Sequence, residues 1–135
     1  MSLELVIVTP EGQAYSGTVD QVVLPGSEGE FGVLESHERT LAPLQHGAVE
    51  IKTASGSEWI ALSNGFADVG ADRVVVLADS CVLASAIDKD AVQAELSEAQ
   101  TELSSLGDDE ANGARRATLA ENIAQCEAQL VVAAK

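Results

Sequence analysis

The side chains of this chain that could do chemistry are two histidines, two cysteines and a surplus of carboxylates. His37 stands in Glu35-Ser36-His37-Glu38. An imidazole flanked by carboxylates could ligate a metal or activate water, so a small metal-dependent hydrolase built on Glu35, His37 and Glu38 is one reading. A surface histidine among solvated acids accounts for the same pattern with no site at all. The serines form no Gly-x-Ser-x-Gly elbow, and no glycine run has the spacing of a phosphate cradle. Glu28-Gly29-Glu30 brings two carboxylates together, without the spacing of an EF-hand loop. Cys81 and Cys126 are far apart and have no histidine nearby in sequence. They read as small buried apolar side chains in a reducing compartment. His46 belongs to no motif. The pattern favours an interaction protein over an enzyme.

The carboxylates of Glu28 and Glu30 lie in Leu24-Pro25-Gly26-Ser27-Glu28-Gly29-Glu30-Phe31-Gly32-Val33-Leu34, with apolar runs on either side. Pro25-Gly26 predicts a turn, because proline presets φ and glycine supplies φ > 0. The two acids are then expected on an exposed tip between two strands, where a scaffold presents contacts. The strands around it are short. Leu3–Thr9 is one, with Leu3, Leu5 and Ile7 on one face. Gln13–Tyr15 reads as a second, broken at Ser16-Gly17, and Val19–Leu24 as a third. Pro43 demotes Leu41–Leu44 to an edge strand or a loop. Gly47–Lys52 and Glu58–Leu62 make a hairpin, Asn64-Gly65 a turn, and Arg73–Ala78 the most strongly β-forming run. Many short strands with frequent turn signals predict an all-β sandwich.

Near Ala86 the period changes. Val92, Leu96, Ala99, Leu103 and Leu106 recur at steps of four and three, as do Leu119, Ile123, Cys126, Leu130 and Ala133. Each set is one helical seam. Asp88 is placed to cap the first helix and Gly107 to stop it. The expected class is α+β: a flattened, barrel-like β-sandwich over residues 1–85, then an antiparallel two-helix hairpin over residues 86–135. Such a hairpin has little core of its own and needs a surface to dock on.

A formal charge of -15 with seven basic residues excludes nucleic acid, whose phosphates call for a basic footprint. Neither half offers one: residues 1–85 carry twelve acids and three bases, residues 86–135 ten and four. The same balance disfavours direct attraction to anionic lipid. No apolar run has the length of a membrane span, and the N-terminus does not read as a secretory signal.

Pro25-Gly26-Ser27-Glu28-Gly29-Glu30-Phe31-Gly32-Val33-Leu34 closely resembles a segment of the epsilon subunit of F-type ATP synthases. Thr9-Pro10-Glu11, Tyr15-Ser16-Gly17, Asn64-Gly65-Phe66-Ala67-Asp68-Val69 and Val74-Val75-Val76-Leu77-Ala78-Asp79 match in order and spacing, and the likeness runs the length of the chain. The resemblance implies a non-catalytic subunit of the rotating central stalk, bound to the gamma subunit and the c-ring and coupling proton flow to ATP synthesis. It implies a peripheral membrane protein on the cytoplasmic face of a bacterial inner membrane, or its organelle equivalent. Glu30 takes the position of the acid that meets basic c-ring loops, with Glu28, Phe31 and His37 as neighbouring contacts. Where the family continues Pro-Gly-His-Ala-Pro-Leu, this chain has Glu35–Thr40 and keeps only His37.

In bacterial relatives the hairpin is a regulatory arm that reaches the alpha/beta catalytic hexamer and inhibits hydrolysis. Some relatives bind ATP there through Ile-Asp-x-x-Arg-Ala and further arginines. This chain keeps Ile87 and Asp88 but has Ala91 in place of the arginine, and Ile123 and Glu127 at the second-helix positions. Few charge-assisted partners remain for a triphosphate, so the expectation is no cofactor, with weak or no ATP binding. An acidic hairpin also predicts weak inhibition of hydrolysis. A free-standing β-sandwich adaptor is the remaining alternative.

Overall fold

A computed structural model describes residues 2–34, 38–107 and 109–135. Ten strands precede two helices. They are β1 (Leu3–Thr9), β2 (Gly12–Val19), β3 (Gln21–Gly26), β4 (Gly29–Leu34), β5 (Thr40–Leu44), β6 (Gly47–Thr53), β7 (Gly56–Leu62), β8 (Gly65–Val69), β9 (Arg73–Ala78) and β10 (Cys81–Leu83). The helices are α1 (Lys89–Ser105) and α2 (Gly113–Ala133).

Hydrogen bonds join all ten strands in one path that folds back on itself. β4, β3, β6, β7 and β10 run side by side in one layer, and β5, β8, β9, β1 and β2 in the other. The layers are stitched where Gly26 of β3 pairs with Leu44 of β5. All pairings are antiparallel except β1 with β9, which places Glu4 opposite Arg73 and Val8 opposite Leu77. Alternation does the rest. Leu3, Leu5 and Ile7 point inward with Val22, Leu24, Val49, Ile51, Ile60, Leu62, Val74 and Val76, and both layers share this one core. Nearly all of it is aliphatic, as the composition requires.

Three hairpins close on two-residue turns, Pro10-Glu11, Ser27-Glu28 and Ala54-Ser55. Each turn is followed by a glycine with φ near +125°: Gly12, Gly29 and Gly56. Only glycine adopts that conformation freely, so these positions fix the register of the pairs. The same turns correct the reading of Pro25-Gly26. Both residues belong to β3, paired with Glu30 and Gly29, and the turn lies one step later. Proline is tolerated there because its carbonyl, not an N–H, is what the neighbouring segment uses. Gln45 N donates to Pro25 O at 2.9 Å.

Other boundaries also shift. β2 runs unbroken through Ser16-Gly17, since each of its residues finds a partner on β1 apart from one irregularity near Ile7. β5 is the edge strand that Pro43 allowed for: it pairs with β8 along Thr40–Leu44 and meets β3 at one pair only. Gly65 opens β8 and is not a turn residue: a Cβ there would lie 1.9 Å from Leu77 O.

Asp88 caps α1, its carboxylate accepting from Ala91 N at 3.1 Å. Val92 and Leu96 pack with Cys126, with Ile87, Ile123 and Leu130 around them, so the two seams meet as expected. The helix α2 has a second seam that the sequence reading missed. Glu121, Gln125, Ala128 and Val132 repeat at steps of four and three on the side that covers β6 and β7, and Lys135 continues the spacing just past the helix end. Ala128 and Val132 are buried. Glu121 accepts from Asn64 Nδ2 at 3.1 Å, Gln125 Nε2 donates to Ser80 Oγ at 3.2 Å, and Lys135 Nζ lies 4.7 Å above the Trp59 ring. The hairpin is docked on the sandwich through α2.

Candidate interaction site

The turn Ser27-Glu28 forms the outermost point of the β3–β4 hairpin, and Glu28 and Glu30 are both exposed. Glu28 is on the turn itself, whereas Glu30 is on β4 opposite Pro25. Phe31 is half-buried against the core and anchors the hairpin from beneath. Gly26 leaves room for its ring: a Cβ there would meet Gly29 O at 2.6 Å and Phe31 Cε1 at 2.9 Å. Ser27 N donates to Pro43 O at 3.0 Å and ties the tip to β5. Two carboxylates are thus held at the end of a braced hairpin.

Pro43 also begins a second feature. It pairs with Phe66 on β8, Phe66 with Leu77 on β9, and Leu77 with Val8 on β1. These residues share the outer side of one layer. Phe66 is 52% exposed, Leu77 54%, and Leu41 nearby on β5 70%. Val8, Pro10, Pro43, Phe66 and Leu77 line an open groove of about 580 Å³. Several large apolar side chains side by side on a sheet face are more than scattered surface hydrophobics, and a patch of this kind marks a docking surface. Through Pro43 the turn that carries Glu28 and the apolar face form one continuous surface, whereas Glu30, on the other side of β4 from Phe31, lines the groove beside α2.

The sequence reading named the tip but missed the face. Its signal is the unbroken run Val74–Ala78, which leaves β9 no polar side. A strand apolar on both faces is covered on both.

The remaining candidates are dispersed. His37 and Glu35 lie outside the described residues, and Glu38 is exposed. Among the described residues no group of histidine, cysteine and carboxylate side chains is placed to hold a metal. Cys81 is half-buried and Cys126 buried, and both are free thiols. Burial raises both thiols, and the charges of Glu95 and Glu127 add to the effect at Cys126. Both therefore stay protonated and inert at neutral pH. Asp88 is engaged as a helix cap and Ile87 packs against the helical core. Arg115 forks onto Glu102, with Nη2 2.7 Å from Oε2, and Arg116 donates to the carbonyls of Gly107 and Asp109. No described helix is long and apolar enough to cross a membrane.

The profile of a known family, described as ATP synthase, Delta/Epsilon chain, beta-sandwich domain, matches residues 2–84. The chain belongs to this family. It is 43% identical over 103 residues to the ATP synthase epsilon chain of Alkalihalophilus pseudofirmus, a match covering 76% of this chain and 77% of that one. It is 50% identical over 80 residues to the ATP synthase epsilon chain of Helicobacter pylori. That alignment spans 59% of this chain and 65% of the Helicobacter protein, just under two thirds of its length. A chain of the Euglena gracilis mitochondrial ATP synthase, from a structure that includes its c-ring, superposes with a TM-score of 0.81 at 26% identity, covering 98% of this chain and 81% of that one. A chain of the Tetrahymena thermophila central stalk and c-ring shares the fold, with a TM-score of 0.62 at 16% identity, over 98% of this chain and 97% of that one. Both superpositions include the helical hairpin as well as the sandwich. This member of the delta/epsilon family thus presents an acidic tip and an apolar face on one stiff sandwich.

Proposed function

We propose that the chain is a non-catalytic rotor subunit of an F-type ATP synthase, its epsilon subunit, which helps couple proton flow through the c-ring to ATP synthesis. The observation that carries this reading is the continuous surface from Glu28, across Pro43, to Phe66 and Leu77. The apolar part suits a large, permanent interface, so we assign it to the gamma subunit. The acidic tip suits the basic polar loops of the c-ring, where charge sets register more than affinity. In this assignment residues 1–85 bind the rotor, residues 86–135 are an arm, and torque passes through the sandwich without bond chemistry. The protein sits peripherally on the membrane that holds the c-ring, on the cytoplasmic face in a bacterium. Co-expression with the cognate gamma subunit and c-ring, followed by affinity capture, tests the reading. Stoichiometric retention of both is expected, and recovery of the chain alone would leave a free-standing adaptor.

The arm is proposed to restrain hydrolysis only weakly. In the docked state Arg115, Arg116 and Lys135 are engaged by Glu102, by loop carbonyls and by Trp59. The rest of the hairpin is acidic, so few cations remain to hold it on an acidic catalytic surface. Ending the chain at Ala86 is expected to change the ATPase rate of the reconstituted complex less than twofold. A rise of tenfold or more would show that the arm is a strong inhibitor. Isothermal titration of the full chain with Mg-ATP is expected to give no saturable heat up to about 1 mM, because Ala91, Ile123 and Glu127 offer no charge-assisted partner.

A further inference from the structure

The apolar face carries one charge in its middle. Asp68 is exposed on β8 and points outward with Phe66, two residues before it. It stands opposite Leu41 of β5 on one side and Val75 of β9 on the other. Directly paired residues project to the same side of a sheet, so Leu41, Phe66 and Val75 hem the carboxylate on three sides. Beyond it along the chain comes Gly70, which has no side chain. Val6 of β1 extends the row past Val75. The exposed charges Glu4 and Arg73 lie one row further out, paired across β1 and β9.

No described residue bonds to this aspartate. None of the ion pairs or side-chain hydrogen bonds among the described residues involves it. Aspartate is poorly suited to a strand, and here no contact within the chain offsets that cost. A lone charge can keep an apolar face in solution, but the rim serves that purpose equally well, and Glu4, Arg73 and Asp79 already stand there. Asp68 instead occupies a position that any partner covering both Leu41 and Phe66 must cover too. A carboxylate taken out of water with no counter-charge carries a large desolvation cost.

We infer that Asp68 selects the partner: the surface that docks on this face presents one cationic side chain set among apolar groups and closes it on this carboxylate. Arginine suits the place better than lysine, because its planar fork meets a carboxylate through two hydrogen bonds and is less tightly hydrated. The inference rests on the proposed assignment of this face to the gamma subunit and adds the chemistry which that subunit must bring. Apolar contacts then supply area, while Asp68 supplies register and discrimination. A surface of similar shape without the cation would leave the charge buried and alone.

Binding kinetics of the full-length chain with gamma test it, gamma being held in its own complex prepared without this chain, at low and at high salt. Asp68→Asn keeps the size and removes the charge, and Asp68→Leu makes the position apolar. Asp68 is exposed and bonded to nothing described, so both variants should fold as the wild type does, with circular dichroism as the check. Each is expected to weaken binding about 30-fold or more, mainly through faster dissociation, as when one member of a buried charge pair is removed. A carboxylate covered without a partner would give the opposite sign, with Asp68→Leu binding tighter than the wild type. A carboxylate that only steers from the rim would slow association instead, and its effect would fade at high salt. Either result, or a loss under tenfold in either variant, overturns the inference. The rotor reading fails differently. Wild type that does not bind gamma, or a Phe66→Glu, Leu77→Lys double variant that binds it undiminished, would take gamma off this face altogether. A double variant that loses gamma while Asp68→Asn keeps it overturns the cation alone.

Discussion

A chain carrying Phe66→Glu together with Leu77→Lys is expected to fold and to lose the gamma subunit. The two residues are direct cross-strand neighbours on β8 and β9, so the replacements form an opposite-charge pair and spare the sheet a like-charge clash. Both side chains are more than half exposed, and surface changes of this kind usually move stability by about 0.5 kcal/mol or less. The interface effect is of another size. Each anchor at the centre of an apolar interface is worth roughly 2 kcal/mol or more, and here two are removed and two charges are buried without matched partners. The affinity for gamma should fall at least about 100-fold. Co-purification with gamma measures it, with circular dichroism as the check on folding. Undiminished retention of gamma by a folded double variant would place the interface elsewhere on the sandwich.

Gly65→Ala is expected to act first on the fold. A Cβ at Gly65 would stand 1.9 Å from Leu77 O and 2.9 Å from Ala78 Cα. Those are backbone atoms of the paired strand, which cannot swing aside as a side chain can. β8 must therefore move away from β9, and the pairs Gly65–Ala78 and Phe66–Leu77 open first. The cost is roughly 3 kcal/mol, the upper part of the range for overpacking, or a fall in Tm on the order of 10 °C. Thermal unfolding followed by circular dichroism reads it directly. A loss under about 2 °C would mean that the strands are not so closely apposed. Because Phe66 is the next residue, the same change should also weaken the gamma interface, in proportion to how far β8 is displaced.

Gly65 also illustrates how far the sequence could be read. Asn64-Gly65 carries a strong turn signal, yet this glycine is required by a neighbour in space, twelve residues away along the chain. Local chemistry has no view of that. Pro25-Gly26 failed for the same reason. The pair favours a turn, but Gly26 is held in β3 by the pairing with Gly29 and by the Phe31 ring above it. What was legible is what alternation and helical period encode: the inward face of β1, β9 as a strand, the β6–β7 hairpin, the Asp88 cap and the seam that joins α1 to α2. The acidic tip was legible because glycine placement and charge are local. The apolar face was not, because an outward Leu77 looks like an inward one until the register with Phe66 and Pro43 is known. The second seam of α2 escaped notice because its members Glu121 and Gln125 are polar, and a search for apolar spacing passes over them.

The one parallel pairing in the sandwich governs the order in which the molecule can assemble. Glu4 waits for Arg73, so the first strand made has no partner on its β9 side until almost the whole sandwich has left the ribosome. Contacts so distant in sequence slow folding, and meanwhile the apolar strand Leu3–Val8 depends on β2 alone for shelter. The arm, whose helices are local, forms quickly but has nothing to lie on until that seam closes. Nascent chains should therefore gain protease resistance in a single late step, once β9 is free to pair, and α2 can settle only after it.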